Sequence, residues 1–334
     1  MRRTSSEDRS QTPEALWKEE DLLEGERVRA MVLILRTSGC WWSKKKGCLM
    51  CGYNSASDSS IGLTDILAQL KVAVERYEDE KFVKIYTSGS FLDRNEIPLE
   101  ARTAIMDAFP SARRVLFESR PEFVTADELN TLPSGRVQVA LGLESANDEI
   151  LRRCVQKGFQ VEDYERAASL LNEKGIPVRT YLLLKPPFLT EKQAMQDTIA
   201  SIEFAAPYSE SVSINPLNVQ KDTMVERLWR RGDYRPPWLF SLVEVLKAGR
   251  ELTEKRVFSS PSGAGSLRGV HNCEKCDPSF IDAVKRFSFS QDTKEFDDLD
   301  CECRMKWQTE LRLQGPMRTS VDVERHLADE LLFD

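Results

Sequence analysis

The sequence predicts an α/β protein built on parallel strands. Three observations carry that reading: short β-branched and aliphatic runs recur along the chain, segments with helical spacing separate them, and small polar residues gather just after each run. Strands are expected at Arg29–Thr37, Phe82–Thr87, Arg114–Ser119, Val137–Leu143, Val178–Leu184 and Ser211–Pro216. Helices are expected at Thr64–Glu78, with Thr64 as its cap, and at Ala101–Phe109, Asp163–Lys174 and Glu191–Phe204, with Gly175 placed to stop the third. Alternation of this kind implies crossover connections, in a closed or partly closed barrel or in an open doubly wound sheet.

The ends of the chain read differently. Residues 1–25 form a polar arm with one short helix expected at Glu14–Leu23. Beyond residue 220 come an aromatic stretch with a Pro-Pro pair (Trp229–Trp238), a helix at Leu239–Thr253 and a Gly/Ser loop at Ser259–Gly269. The expected organisation is therefore an arm (1–25), a barrel-forming region (26–254) and a small C-terminal module (255–334). Within the last, Val323, Leu327 and Leu331 recur at helical spacing over Val321–Phe333, which suits either a docking helix or packing on the chain's own core.

At 334 residues, 41% hydrophobic and 30% charged, the chain has the composition of a soluble globular protein. The aliphatic stretch Met31–Leu35 is far too short to span a bilayer, and the N-terminus lacks the apolar core of a secretory signal. A reducing, cytoplasmic setting without membrane contact follows as the expectation. The formal net charge of −7 argues against autonomous binding of nucleic acid, because Lys and Arg on phosphates supply most of that affinity. Any RNA contact must then be local.

Seven of the eight cysteines fall into two tight groups, and Cys154 stands alone as a small apolar residue of the interior. In a reducing compartment such groups serve metals or chemistry rather than disulfides. The first, Cys40, Cys48 and Cys51, has the spacing C-x7-C-x2-C directly after the first expected strand. Three thiolates on one loop suit a [4Fe–4S] cube with one iron left open for an external molecule. A zinc loop completed from elsewhere is the competing reading, although neither His of the chain lies near in sequence. Most radical S-adenosylmethionine (SAM) proteins carry C-x3-C-x2-C. Here the interval between the first two cysteines is longer and holds Trp41, Trp42 and Lys44–Lys46, which suits a flap, a polyanion contact or a solvated charge run. The second group, Cys273, Cys276, Cys301 and Cys303, reads C-x2-C…C-x-C. It fits a tetrahedral structural zinc, with a second iron–sulfur cluster or participation of His271 as alternatives.

The segments GCWWSKKKGCLMCGYN, KIYTSGSFLD, LFESRPEFV, VALGLESANDEIL, YLLLKPPFLTE, SINPLNVQ and RPPWLFS together resemble the radical SAM proteins of archaeosine biosynthesis, a group related to the Elongator catalytic subunit. The resemblance runs from about Arg36 to Trp307. It implies a partial (β/α)6 barrel, a [4Fe–4S] cluster on Cys40, Cys48 and Cys51, and SAM as cofactor. It implies a tRNA substrate, a transferase subunit as partner and an external electron donor. The implied reaction is C–N cleavage of a lysine adduct of 7-cyano-7-deazaguanine in the D-loop, started by hydrogen abstraction by a 5′-deoxyadenosyl radical. Thr87, Ser88, Gly89 and Ser90 occupy the place where the superfamily binds the SAM amino group, with TSGS standing where Gly-Gly-Glu is common. Glu118, Arg120, Glu144 and Ser145 would face the SAM ribose and carboxylate, and Lys185 and Asn215 SAM or substrate. Strand ends are also where ordinary polar turns belong. The alternatives are another radical SAM reaction on tRNA, as in the Elongator relatives, and a non-catalytic zinc scaffold.

Overall fold

The computed structural model describes residues 9–133 and 135–317; Val321–Phe333 lies outside them. The strands are β1 (Ala15–Leu23), β2 (Glu26–Ile34), β3 (Phe82–Tyr86), β4 (Arg114–Ser119), β5 (Val137–Glu144), β6 (Val178–Leu184), β7 (Ser211–Pro216) and β8 (Arg256–Phe258). They lie in one sheet in chain order. β1 and β2 are antiparallel, while β2–β3, β3–β4, β4–β5 and β7–β8 are parallel. The longer helices are α1 (Leu63–Arg76), α2 (Leu99–Ala108), α3 (Val161–Glu173), α4 (Glu191–Ala205), α5 (Met224–Arg231), α6 (Leu239–Leu252), α7 (Asp277–Ser290) and α8 (Arg304–Met317).

One expectation is overturned at once. Glu14–Leu23 is no helix but the outer strand of a hairpin, closed by Glu24 (φ 53°) and Gly25 (φ 82°). Positive φ at both central residues is the two-residue turn whose twist matches paired strands. The Glu- and Lys-rich composition favoured a helix locally, yet pairing Glu20 with Arg29 and Leu16 with Leu33 across the hairpin wins.

The chain divides into two compact units. The first comprises residues 1–47, 53–142 and 162–180; the second comprises 48–52, 143–161 and 181–334. In the first, strands buried on both faces read as near-continuous apolar runs: Met31, Val32 and Leu33; Phe82 and Val83; Val115, Leu116 and Phe117. Phe91 stacks on Phe117 at 4.2 Å between ring centroids. In the second, Val155, Leu183, Leu217, Val219, Val225, Leu228 and Tyr234 form one buried cluster. α8 is tied to α6 there by Trp307, which stacks on Phe240 and donates its indole N–H to Ser241 Oγ at 2.9 Å.

Candidate functional site

In the first unit, the polar ends of β2, β3 and β4 converge on one buried carboxylate. Glu96 Oε1 accepts from the Thr37 hydroxyl at 2.7 Å and from the Gly89 amide at 3.0 Å, and Oε2 accepts from the Ser90 amide at 2.6 Å. Burial pushes the Glu96 carboxyl upward, against those three hydrogen bonds, which favour the anion. Ser90 Oγ then meets Ser119 Oγ at 2.7 Å and accepts from the Arg120 amide. Nothing in sequence periodicity points to Glu96, because it sits in the irregular turn FLDRNEIP.

This network sets the backbone of Gly89 against the first cysteine. A Cβ added to Gly89 would stand 2.4 Å from Glu96 Oε2 and 2.6 Å from the Cα of Cys40, so only glycine fits. Gly89→Ala is expected to cost about 1–3 kcal/mol through that overlap, read as a lower urea midpoint at unchanged m-value. An unchanged midpoint would show that the loop shifts freely. Thr87 Oγ1 is buried and has no hydrogen-bond partner among the described residues, so this strand end holds one uncommitted hydroxyl. Ser88 Oγ accepts from Ser57 Oγ at 2.8 Å. Glu118 is half-buried, and its carbonyl accepts the Phe91 amide. Arg120 is buried and donates from Nε to Glu122 Oε1 at 2.6 Å.

The second unit holds the other two cysteines of the first group. Leu49 and Met50, between Cys48 and Cys51, pack against the apolar cluster below, and the Leu49 amide donates to Val155 O at 3.0 Å. The C-x2-C turn closes with the Cys51 amide on Cys48 O, and both thiols are half-buried. Cys154 is buried, its thiol pushed up to about 12 by desolvation first and by the nearby Asp197 charge, which makes it inert.

The remaining strand-end residues of this unit are already engaged. Glu144 (φ 69°) pairs with Lys157 at 2.7 Å. Ser145 Oγ donates to Asp197 Oδ1 at 2.7 Å and accepts from the Asn147 amide, which commits its hydroxyl hydrogen. Lys185 (φ 62°) is buried with Nζ 2.6 Å from Glu191 Oε2, while Glu191 Oε1 accepts the Trp238 amide at the start of α6. Asn215 Oδ1 accepts from Ser213 Oγ at 3.1 Å.

Asp197 is a second residue that sequence reading missed, hidden on the buried side of α4. Burial pushes its carboxyl from 3.8 to about 6. Folding therefore takes up a proton between those values; Asp197 supports the fold below pH 4, and that contribution is lost as pH rises through 6. Asp197→Asn is expected to gain about 2 kcal/mol relative to the parent between pH 4 and pH 7. Urea unfolding at both pH values checks this, and a pH-independent difference refutes it.

The second cysteine group is assembled. Cys273 Sγ stands 3.6 Å from Cys276 Sγ and 3.6 Å from Cys301 Sγ, and Cys276 Sγ is 3.7 Å from Cys303 Sγ. All four sulfurs lie within 4.8 Å of one another. Four thiolates at about 2.3 Å around one tetrahedral zinc would stand roughly 3.8 Å apart, so the set fits a single ion. The thiolates of a [4Fe–4S] cube bind different irons and stand further apart. Asp277 braces the first pair by accepting the amides of Asn272, Cys273 and Glu274. Burial pushes the Cys276 thiol up to about 11; at Cys273 burial acts the same way, but the Cys276 amide and neighbouring sulfurs hold it down to about 7. His271 lies outside the set, with Nδ1 2.7 Å from Gly269 O.

The profile of the radical SAM superfamily matches residues 34–198, a span that opens at the end of β2 and takes in the first cysteine group. Archaeosine synthase subunit beta of Methanosarcina acetivorans is 42% identical over 314 residues, covering 90% of each chain. Archaeosine synthase subunit beta of Thermococcus kodakarensis is 39% identical over 87% of this chain and 94% of its own. The chain belongs to the archaeosine synthase subunit beta family. Among solved structures, Elp3 of Methanocaldococcus infernus superposes with a TM-score of 0.51 over 68% of this chain and 59% of its own, at 18% identity, which shows a shared fold. β2–β7 alternate with helices in the order of a partial (β/α)6 barrel, and the second cysteine group lies in the second unit. No helix among the described residues is long and apolar enough to cross a membrane.

The residues fit the groups this superfamily uses. The segment after β2 carries the half-buried thiols of Cys40, Cys48 and Cys51, Gly89 lets the backbone pass close against Cys40, and the buried Thr87 hydroxyl has no partner among the described residues.

Proposed function

We propose that this chain is the radical SAM subunit of an archaeosine synthase and acts on tRNA in the cytoplasm. The observation that carries the reading is the 42% identity over nine-tenths of the chain to an archaeosine synthase subunit beta. On this reading a transferase subunit first attaches lysine, through its ε-nitrogen, to 7-cyano-7-deazaguanine in the D-loop. The present chain then breaks the lysine-side C–N bond and leaves the formamidine of archaeosine.

Cys40, Cys48 and Cys51 would hold the [4Fe–4S] cluster, with one iron left open for the amino and carboxylate groups of SAM. When bound, cluster and SAM supply a 5′-deoxyadenosyl radical, given an electron from an external donor. The protein's part is to orient and to exclude water. Glu96 fixes the Thr87–Ser90 turn, which leaves the Thr87 hydroxyl and the edge of Gly89 for the methionine end of SAM. Glu118, Glu144 and Asn215 would serve as contacts for ribose, carboxylate or substrate. Ser145 and Lys185, held by Asp197 and Glu191, act as struts for these strand ends. The C-terminal cysteines would hold one zinc ion, supported by their 3.6–3.7 Å sulfur separations.

The test is anaerobic reconstitution followed by incubation with SAM, reductant and tRNA bearing the lysine-modified deazaguanine, assaying 5′-deoxyadenosine and the nucleoside by mass spectrometry. Both products are expected. Deoxyadenosine without archaeosine, with the partner subunit present, would discard the substrate. A colourless protein with zinc, no iron and neither product would favour a scaffold instead.

A further inference from the structure

The interval between Cys40 and Cys48 is longer than the barrel requires, and it is an ordered turn. The carbonyl of Trp42 accepts the amides of Lys45, Lys46 and Gly47, each at 3.0 Å, and the Lys44 amide reaches back to Cys40 O. The two tryptophans anchor it. Trp41 packs edge-on against Trp42 and Phe123 and donates its indole N–H to Glu122 Oε1 at 3.0 Å. The Arg120 guanidinium lies 5.9 Å from both indole centroids and is neutralised by the same Glu122. Lys45 Nζ rests 4.4 Å above Trp41.

What this anchoring presents is charge. Lys44, Lys45 and Lys46 are all exposed, and neither Lys44 nor Lys45 makes an ion pair among the described residues. Three adjacent like charges repel one another, which keeps a field of positive sign on this turn. A chain of net charge −7 repels a polyanion at long range, so contact with one needs a local site of opposite sign. A rigid turn offers such a site with little ordering cost on binding.

We propose that the turn 41–47 is an RNA-binding element whose three lysines grip backbone phosphates beside the cluster loop. This rests on the reading of the chain as an enzyme acting on tRNA, and it places the grip next to Cys40. Trp41, fixed by Glu122 and Phe123, is the positioning residue of the turn, with Trp42 packed edge-on against it.

The experiment measures binding of fluorescently labelled tRNA to the reconstituted full chain by anisotropy across a range of salt. The variants are K44Q/K45Q/K46Q and the charge-preserving K44R/K45R/K46R, with iron content and thermal melts as controls. The glutamine variant is expected to lose affinity tenfold or more at low salt. Its log K against log salt slope should become shallower by about 2, as each released phosphate contact removes roughly 0.7–0.9 from the slope; the arginine variant should restore both. Unchanged affinity and slope in the glutamine variant would overturn the proposal. So would a variant that binds tRNA normally but loses iron, since the turn would then be a cover for the cluster. A wild-type chain that shows no lysine-dependent tRNA binding overturns it as well. If binding depends on the lysines yet no archaeosine forms with the partner present, the lyase reading fails and the RNA element stands.

Discussion

Replacing Cys48 by alanine is expected to abolish SAM cleavage while the protein stays folded. The thiol is half-buried on a loop whose stability comes from its neighbours, Leu49 and Met50 on the apolar cluster and the Cys51 amide on Cys48 O, all of which survive the change. The loss in stability should stay within about 1 kcal/mol, as for substitutions away from a packed core. The chemical loss is of another order, because two thiolates do not retain a cube that needs three. Deoxyadenosine formation should fall by at least about 10³-fold, equivalent to roughly 4 kcal/mol of barrier, together with loss of iron and of brown colour. Cys154→Ala is the matched control: its thiol is buried and fully protonated, so cleavage should persist at a small cost in stability. Cleavage retained in Cys48→Ala would remove the first cysteine group from the chemistry.

Disrupting the proposed C-terminal metal site is expected to have the largest effect on stability. Cys276 is buried at the start of α7, where its sulfur faces Cys273 and Cys303 and receives the Asn272 side-chain amide at 3.6 Å. The ion would clip this corner to the segment that opens α8. Binding energy at a structural thiolate site is folding energy, so Cys276→Ala should cost at least about 3 kcal/mol. At about 2.1 cal/mol/K of unfolding entropy per residue, that is a fall of roughly 4 °C in Tm for a chain of 334 residues. Chelation should lower Tm similarly and release one zinc ion per chain. A melt indifferent to chelator would mean that the four cysteines are only a packed cluster, and iron in the released metal would change the identity of the ion.

Several elements were legible from one sequence. Arg114–Ser119, Val178–Leu184 and Ser211–Pro216 coincide end to end with their expected spans, because runs such as VRTYLLL are rich in β-branched, aromatic and aliphatic residues and are buried on both faces. The second cysteine group was legible in its spacing, since C-x2-C and C-x-C already bring each pair close. The misses have physical causes. β1 is rich in helix formers and becomes a strand through its hairpin partner, a cross-strand effect invisible in a local window. β8 is three residues long, too short to show alternation. Glu96 and Asp197 lie outside any strand end and matter because buried hydroxyls and amides converge on them. The polar residues grouped from the sequence stand at the ends of β3 to β7. Their separation into uncommitted groups such as Thr87 and committed ones such as Ser145 and Lys185 depends on partners far away in sequence, as for Ser145 and Asp197, 52 residues apart.

The strand order, β1 to β8 without a crossing, has a consequence for how the protein is made. Each strand pairs with the one synthesised just before it, so the sheet can grow by accretion as the chain emerges, its lengthening edge always supplied with the next partner. No early strand waits, unpaired and aggregation-prone, for a late one. The hairpin β1–β2 needs only a two-residue turn and is available as the first template. The C-terminal cysteines come last in this sequence of events, so uptake of the proposed ion would act as the latch that follows assembly of the sheet.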